Sequence, residues 1–442
     1  MPLSPVSAAL PPHRPATPGT VLRQLGFRSA AIYLVLHNLE AFLRLVPGSG
    51  RAADRLELGG REAAAWVGHR LLGITREIPT ALSGSSDMTS DWIRTGSFAV
   101  IAVVVAVLWT MVGRGGEADE RLRFGVRVGL RYALGAAMLI YGGMKILPPT
   151  QFPAPSLAQL TQTLGEFSPQ GLLWKFMGFS PQYVRFIGVG EAVAGALLFF
   201  RRTTLLGALI TAAIMTNVVM LNLCYDVGVK LYSGHLLLMA LWLIAPDLPR
   251  LTAVFLRNRA VAAADDVLPW RDRRGWLRAV MALKLLVVLG AFYRAGGSQV
   301  ENLRSTTAQF GASPPELRGI WTVESFERDG QPVPALLTDR SRWQTLIFGD
   351  YRAVLMRRGD GQRGGFWLVQ RGGESGAFLF ERPGGGAPPM PVAIRLPEPG
   401  VMQLETRLDG AALKVALRRV DETKFPLLSR GFHWITEVPF NR

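Results

Sequence analysis

Two stretches of this chain decide what it can fold into. FAVIAVVVAVLWTMV, beginning at Phe98, and TTLLGALITAAIMTNVVMLNL, beginning at Thr203, contain no charged residue. A helix needs about 20 largely apolar residues to cross the hydrocarbon layer, because every backbone polar group there must be satisfied within the segment. Seven stretches meet or approach that requirement, at about 29–47, 96–113, 129–147, 184–200, 203–223, 230–246 and 277–293. The first carries His37 and Glu40 and the seventh Lys284, unlike the two uncharged stretches.

At 442 residues the chain exceeds what one core usually holds. Its character changes after Tyr293, from long apolar runs to short alternating segments rich in Gly, Pro and Arg. The predicted organisation is a Pro-rich disordered cytoplasmic tail over 1–27, a helical transmembrane domain over 28–293, a linker over 294–315 and a strand-rich domain over 316–442. No cleavable signal peptide is expected before the first span. The net charge of +16 would suit a nucleic-acid partner if the arginines were clustered. Here they mark the ends of apolar runs, so the expected partner is the lipid bilayer and nucleic acid is excluded. Cys224 is the only cysteine, which excludes an internal disulfide, a dithiol pair and a thiolate-built zinc site.

Arginines also give a direction. With the N-terminus cytoplasmic, inside segments hold Arg14, Arg23, Arg28, Arg114, Arg121, Arg123, Arg127, Arg201, Arg202 and a further group from Arg250 to Arg278. Outside loops hold little more than Lys175 and Lys230, while 48–95 has balanced charge and gives no vote. The expectation is a multi-pass protein of a bacterial inner (cytoplasmic) membrane, with seven spans and an extracytoplasmic C-terminal domain.

That direction lets depth be read at about 1.5 Å per residue. Glu40, Lys145, Glu191, Asn222, Asp226, Lys230 and His235 then share the outer half of the bilayer, although they come from five helices. Ionisable groups at such depth mark a site, a partner contact or an end that snorkels to water. The sharp reading is a ligand-binding polar pocket open to the outside, with Glu191 and His235 as candidate catalytic acid or base, and no metal. The loop carrying PPTQFPAPS and SPQGLLWKFMGFSPQY is its candidate lid. The plain readings are that Lys145 and Lys230 snorkel, that Glu191 has a structural partner such as Lys145, and that Asn217 and Asn222 bond between helices. His37 and His235 as axial haem ligands would have to meet from different depths. Gly188, Gly190 and Gly195 should bring their helix close to a neighbour.

RYALGAAMLIYGGMK from Arg131, GVGEAVAGALLFFRRTT from Gly188 and the helix-forming segment from Met215 to Arg250 resemble the DoxX family of four-helix membrane proteins. The resemblance covers 131–246, about a quarter of the chain. It implies a four-helix core and, by association only, redox work beside a respiratory or redox membrane partner, with quinone as the candidate cofactor. The cysteine pairs of some redox-associated relatives are missing here, so dithiol exchange is not expected.

From Gly319 the apolar pattern has period two. GIWTVESFE, RWQTLIF, YRAVLMRR, GFWLVQR, AFLFER, PVAIRL, VMQLETRL and AALKVALRRV are separated by turn signals such as DGQP, GDGQRG and PEPG. Eight such segments fit an antiparallel meander closed into a small all-β barrel. Gly319 and Trp321 form a GxW at the first strand, which resembles lipocalins, where a late arginine covers the tryptophan; Arg418, or its neighbour Arg419, is placed for that role. The barrel holds one small apolar ligand or is filled by its own side chains. The basic, aromatic ending RGFHWITEVPFNR packs on the barrel or on the membrane bundle.

Three functions remain open: a redox-associated or quinone-binding subunit, a lipid-like ligand carrier built on the barrel, and a membrane enzyme using Glu191 or His235. HExxH, GxSxG and GxxxxGK[ST] are absent from the C-terminal domain.

Overall fold

The computed structural model describes residues 18–44, 48–81, 84–113, 116–147, 151–262, 311–370, 377–384 and 388–430, with isolated positions among 278–305 and residue 433. The expected seventh span at 277–293, most of the 294–315 linker and most of the closing RGFHWITEVPFNR lie outside the described residues. The chain divides into two compact units, one of residues 1–151 and 182–297, the other of 152–181 and 298–442.

The first unit is helical. Its described helices are α1 (Pro18–His37), α2 (Leu39–Arg44), α3 (Gly50–Arg70), α4 (Thr89–Met111) and α5 (Glu117–Ile146), then α8 (Pro181–Phe199), α9 (Thr204–Cys224), α10 (Lys230–Ile244) and α11 (Leu248–Phe255). The second unit contributes α6 (Leu157–Leu160) and α7 (Pro169–Phe179). Among the described residues, five helical stretches are long and apolar enough to cross a membrane: Thr89–Met111, Glu117–Ile146, Pro181–Phe199, Arg201–Cys224 and Lys230–Phe255. They correspond to the second through sixth expected spans.

The first expected span is revised. Helix α1 starts at Pro18, inside the expected disordered tail, because proline is well placed in a first turn, where its missing N–H costs nothing. It is held by contacts that local composition does not show. Arg28 is buried and pairs with Asp119 at 2.7 and 2.9 Å, and Phe27 stacks on Trp242 at 5.8 Å. The helix stops at His37; Asn38 turns its amide back to the Leu34 carbonyl at 2.9 Å before α2 begins.

Helix α5 buries a stripe of Leu130, Leu134, Met138 and Lys145 at helical spacing, and the core forms where it meets Leu34, Leu198, Met239 and Leu243. On α5, Gly135 and Gly142 face Gly195 and Gly188 of α8. A Cβ on Gly142 would lie 2.7 Å from the Gly188 carbonyl oxygen and 2.8 Å from the Ala192 nitrogen, so the two backbones touch only because it is absent. Gly190 faces Ile214 instead and takes no part in that approach. Gly142→Val is expected to cost about 1–3 kcal/mol by overpacking, read as a lower unfolding temperature of the purified protein; an unchanged temperature would mean that this approach is not tight.

In the second unit eight antiparallel strands close into a barrel: β1 (Gly319–Arg328), β3 (Trp343–Phe348), β4 (Ala353–Arg358), β5 (Arg363–Gln370), β6 (Ala377–Glu381), β7 (Met390–Glu398), β8 (Val401–Leu408) and β9 (Ala411–Arg419), with β9 returning to pair with β1. A two-residue strand, β2 (Gln331–Pro332), adds a ribbon beside β1. Alternate residues of β8 and β9 point inward, as their period-two pattern requires. The packed domain begins before the expected boundary, since Ala312 bridges Tyr351 and the Ser313 N–H bonds to the Asp350 carbonyl.

Residues 152–181, expected as part of the helical domain and as a lid, belong to the barrel unit. Leu157 packs with Ile320 and Ile347, and the Arg357 guanidinium bonds to the Thr161 carbonyl at 3.2 Å. Arg363 pairs with Glu166, whose carboxyl is held below the usual range first by the Thr163 N–H and then by these guanidinium groups.

Candidate functional site

The approach of α5 to α8 creates the central feature of the helical unit. Lys145 follows Gly142 by three residues and Glu191 follows Gly188 by three, so both side chains lie one turn beyond the point of closest backbone contact. The Lys145 ammonium donates to both Glu191 oxygens, at 2.9 and 2.7 Å, with the two side chains buried. Two charges removed from water need such pairing whatever else they do. The ammonium also sits 5.5 Å from the Tyr141 ring, one turn back on α5, and Tyr141 meets Tyr232 of α10 with ring centroids 5.8 Å apart.

Tyr232 precedes His235 by three residues, which places them on one face of α10. His235 Nδ1 lies 2.6 Å from the Leu231 carbonyl oxygen, and because a carbonyl only accepts, Nδ1 carries the proton. In the neutral ring Nε2 then accepts from the Tyr33 hydroxyl of α1 at 2.5 Å. The His37 ring stacks on that of His235 with centroids 3.6 Å apart and planes 11° from parallel. The two histidines therefore share one depth, not two. Face-to-face rings cannot reach opposite faces of one iron, so the paired axial-ligand reading is withdrawn.

The remaining expected residues go elsewhere. The Asn222 amide donates to Ser233 at 2.9 Å, an interhelical bond between buried groups. Glu40 accepts from Arg94 at 2.8 Å. Asp226 is a positive-φ residue in the short turn before α10, and its largely exposed carboxyl accepts from Lys230 at 2.8 Å, a bond that holds it below the usual carboxylate range. Lys145 and Glu191 are brought together beside Tyr141 and Tyr232, and His235 lies one turn further along the same face of α10; Asp226 and Lys230 stay at the helix end.

Four contributors were not picked out from the sequence. Tyr33, Tyr141 and Tyr232 each stand three or four residues from an ionisable group, and that spacing was the available signal. Asp87 had none, because it acts across 143 residues: its carboxylate accepts the backbone N–H of Lys230 and of Leu231, each at 2.8 Å, and so caps α10. Asp87→Ala is expected to cost about 1 kcal/mol, the usual worth of a helix cap, seen as reduced thermal stability; an Asn substitution should keep part of it.

In the barrel, Trp321 is buried and donates its indole N–H to the Leu317 carbonyl at 2.8 Å. The arginine over its ring is Arg419, at 5.9 Å, and not Arg418. Inward and outward positions alternate along β9, and Arg418 points out to pair with Glu324. Gly319, with φ of 151°, leaves the space Arg419 uses, since a Cβ there would lie 2.9 Å from its Nε. The interior is filled by side chains, with Phe326, Trp343, Phe366 and Phe380 in ring contact at 5.9, 6.1 and 4.9 Å. A ligand held inside the barrel thus has no observation in its favour among the described residues.

These features define a class: a helical protein with, among its described residues, five helices fit to cross a membrane, buried polar groups inside its bundle and a closed antiparallel barrel in the same chain. Neither a family profile nor a solved structure matches the chain. It is 31% identical over 147 residues to the uncharacterized protein YwoB of Bacillus subtilis (strain 168), a match covering 92% of that protein and 33% of this chain. The chain belongs to the YwoB family.

Proposed function

We propose that this chain is a DoxX-like, redox-associated subunit of a bacterial inner membrane that binds a quinone-type ligand at the buried polar groups of its helical bundle. The observation that carries the reading is the polar groups of four helices gathered along α10: Glu191 and Lys145 with Tyr141 and Tyr232, and one turn on, His235 with Tyr33. Reducing a quinone to a quinol takes two electrons, from a redox partner, and two protons. A hydrophobic bundle that presents hydroxyl, imidazole and carboxyl groups can supply those protons without exposing the ligand to water. Glu191 and His235 are the proton-exchanging groups in this reading, Lys145 holds the Glu191 charge, and the tyrosines stand beside them. The arginine distribution supports a reading with the N-terminus in the cytoplasm and the barrel outside.

The test is solvent extraction of the protein purified from native membranes in mild detergent, with quinone identified by mass spectrometry. The wild type is expected to carry quinone and His235→Ala to carry several-fold less. A wild-type preparation without quinone, which also fails to take up an added short-chain quinone, would overturn the proposal.

A further inference from the structure

Helix α3 lies in the charge-balanced segment that gave no vote on topology, and it is a 21-residue helix with three distinct faces. One face is buried: Ala53, Arg61, Ala64 and Gly68 pack inward, and a Cβ on Gly68 would lie 2.9 Å from the Ile93 side chain of α4. A second face is mostly charged, with Arg51, Asp54, Arg55 and Glu62 exposed around Leu58. The third carries Ala52, Leu56, Gly59, Ala63 and Trp66, spaced three or four positions apart, and ends at Arg70, beyond which the chain continues into Leu71 and Leu72. This third face is uncovered, with Leu56 37% and Trp66 58% exposed, and so are Leu71 and Leu72 just after the helix.

The position of α3 is fixed. Arg61 pairs with Asp91 at 3.3 Å and with Glu57 at 3.5 Å; Arg44 joins Glu57 and Asp54; Arg94 joins Glu40. These ion pairs pin α3 to the first turn of α4. Beyond that turn α4 is the most exposed of the five candidate spans, its Val100, Ile101, Val103 and Val104 all bare. Such a surface belongs in hydrocarbon, and Trp92, 54% exposed at its start, stands where tryptophans anchor a span at the headgroups. The apolar face of α3 is thus held at the level where α4 enters the bilayer.

We infer that α3 is an in-plane interfacial helix, its Leu56, Ala63 and Trp66 face seated in the phospholipid headgroup and upper acyl region, with Arg55 and Glu62 in water. Its partner is the lipid surface itself. This does not depend on the quinone reading.

The experiment uses the full chain in phospholipid nanodiscs. On a Cys224→Ser background, single cysteines at 56, 63 and 66 and at 55 and 62 carry a nitroxide label, and collision rates with oxygen and with a water-soluble nickel chelate are compared by EPR. Positions 56, 63 and 66 are expected to show an oxygen-to-nickel ratio several-fold above 55 and 62. Equal ratios would place the whole helix in water and overturn the inference. Low access to both reagents at 63 and 66 would show protein, such as a second copy, over the face and would overturn it too. Each labelled variant should elute as the unlabelled protein does.

Discussion

Glu191→Leu is expected to destabilise the purified protein by about 3–5 kcal/mol, the cost of leaving one member of a buried ion pair without its partner. The Lys145 ammonium would remain 5% exposed among apolar helices. Lys145→Met should cost a similar amount, for the mirror-image reason. The double variant is the informative one: replacing both charges with apolar groups of similar volume removes the desolvation penalty along with the attraction. It is expected to recover most of the loss. Unfolding temperatures of the four proteins in one detergent complete the cycle. A double variant as unstable as the two single losses added together would mean that the residues act separately. The same double variant divides structure from chemistry, because a stable protein lacking both groups should still lose quinone reduction if Glu191 exchanges protons.

The second large effect belongs to the barrel. Trp321→Ala should cost about 3–5 kcal/mol, as removal of a large buried aromatic leaves a cavity that the closed sheet cannot collapse around. Leu317 would lose its indole donor, and Arg419 the ring beneath its guanidinium. Trp321→Phe keeps the ring and loses the N–H, so it should fall well short of that. Rates of proteolysis of the C-terminal domain in the full chain are the readout. Wild-type resistance in Trp321→Ala would remove the tryptophan from its place as the plug of the barrel.

How much of this was legible in the sequence follows from the range of each interaction. Apolar runs with a 3.6-residue or two-residue period report their own burial, which is why the second to sixth spans and all eight barrel strands could be read directly. Helix α1 could not, because its stability comes from Arg28 meeting Asp119 and Phe27 meeting Trp242, partners 91 and 215 positions away. Helix α3 lies in the segment whose balanced charge carries no topology signal, and the arrangement of those charges as ion pairs is what fixes it. In the candidate site the ionisable residues stood out by their cost in a membrane. The tyrosines beside them did not, since a tyrosine in an apolar helix carries no such cost. Asp87 and the choice of Arg419 over Arg418 are matters of register and long-range contact, which one-dimensional spacing leaves undetermined.

The packing of Leu157 against Ile320 and Ile347 puts a parity condition on the path of the chain. One compact body cannot straddle a bilayer, so the segment around Leu157 and the barrel strands must share a compartment. If α8, α9 and α10 each cross once, they leave the chain in the opposite compartment at Ile244. Cysteines placed singly at Gly165 and at Thr322 should therefore react with an impermeant maleimide from the same side of intact cells or vesicles. Labelling from opposite sides would overturn the docking of the 152–181 segment.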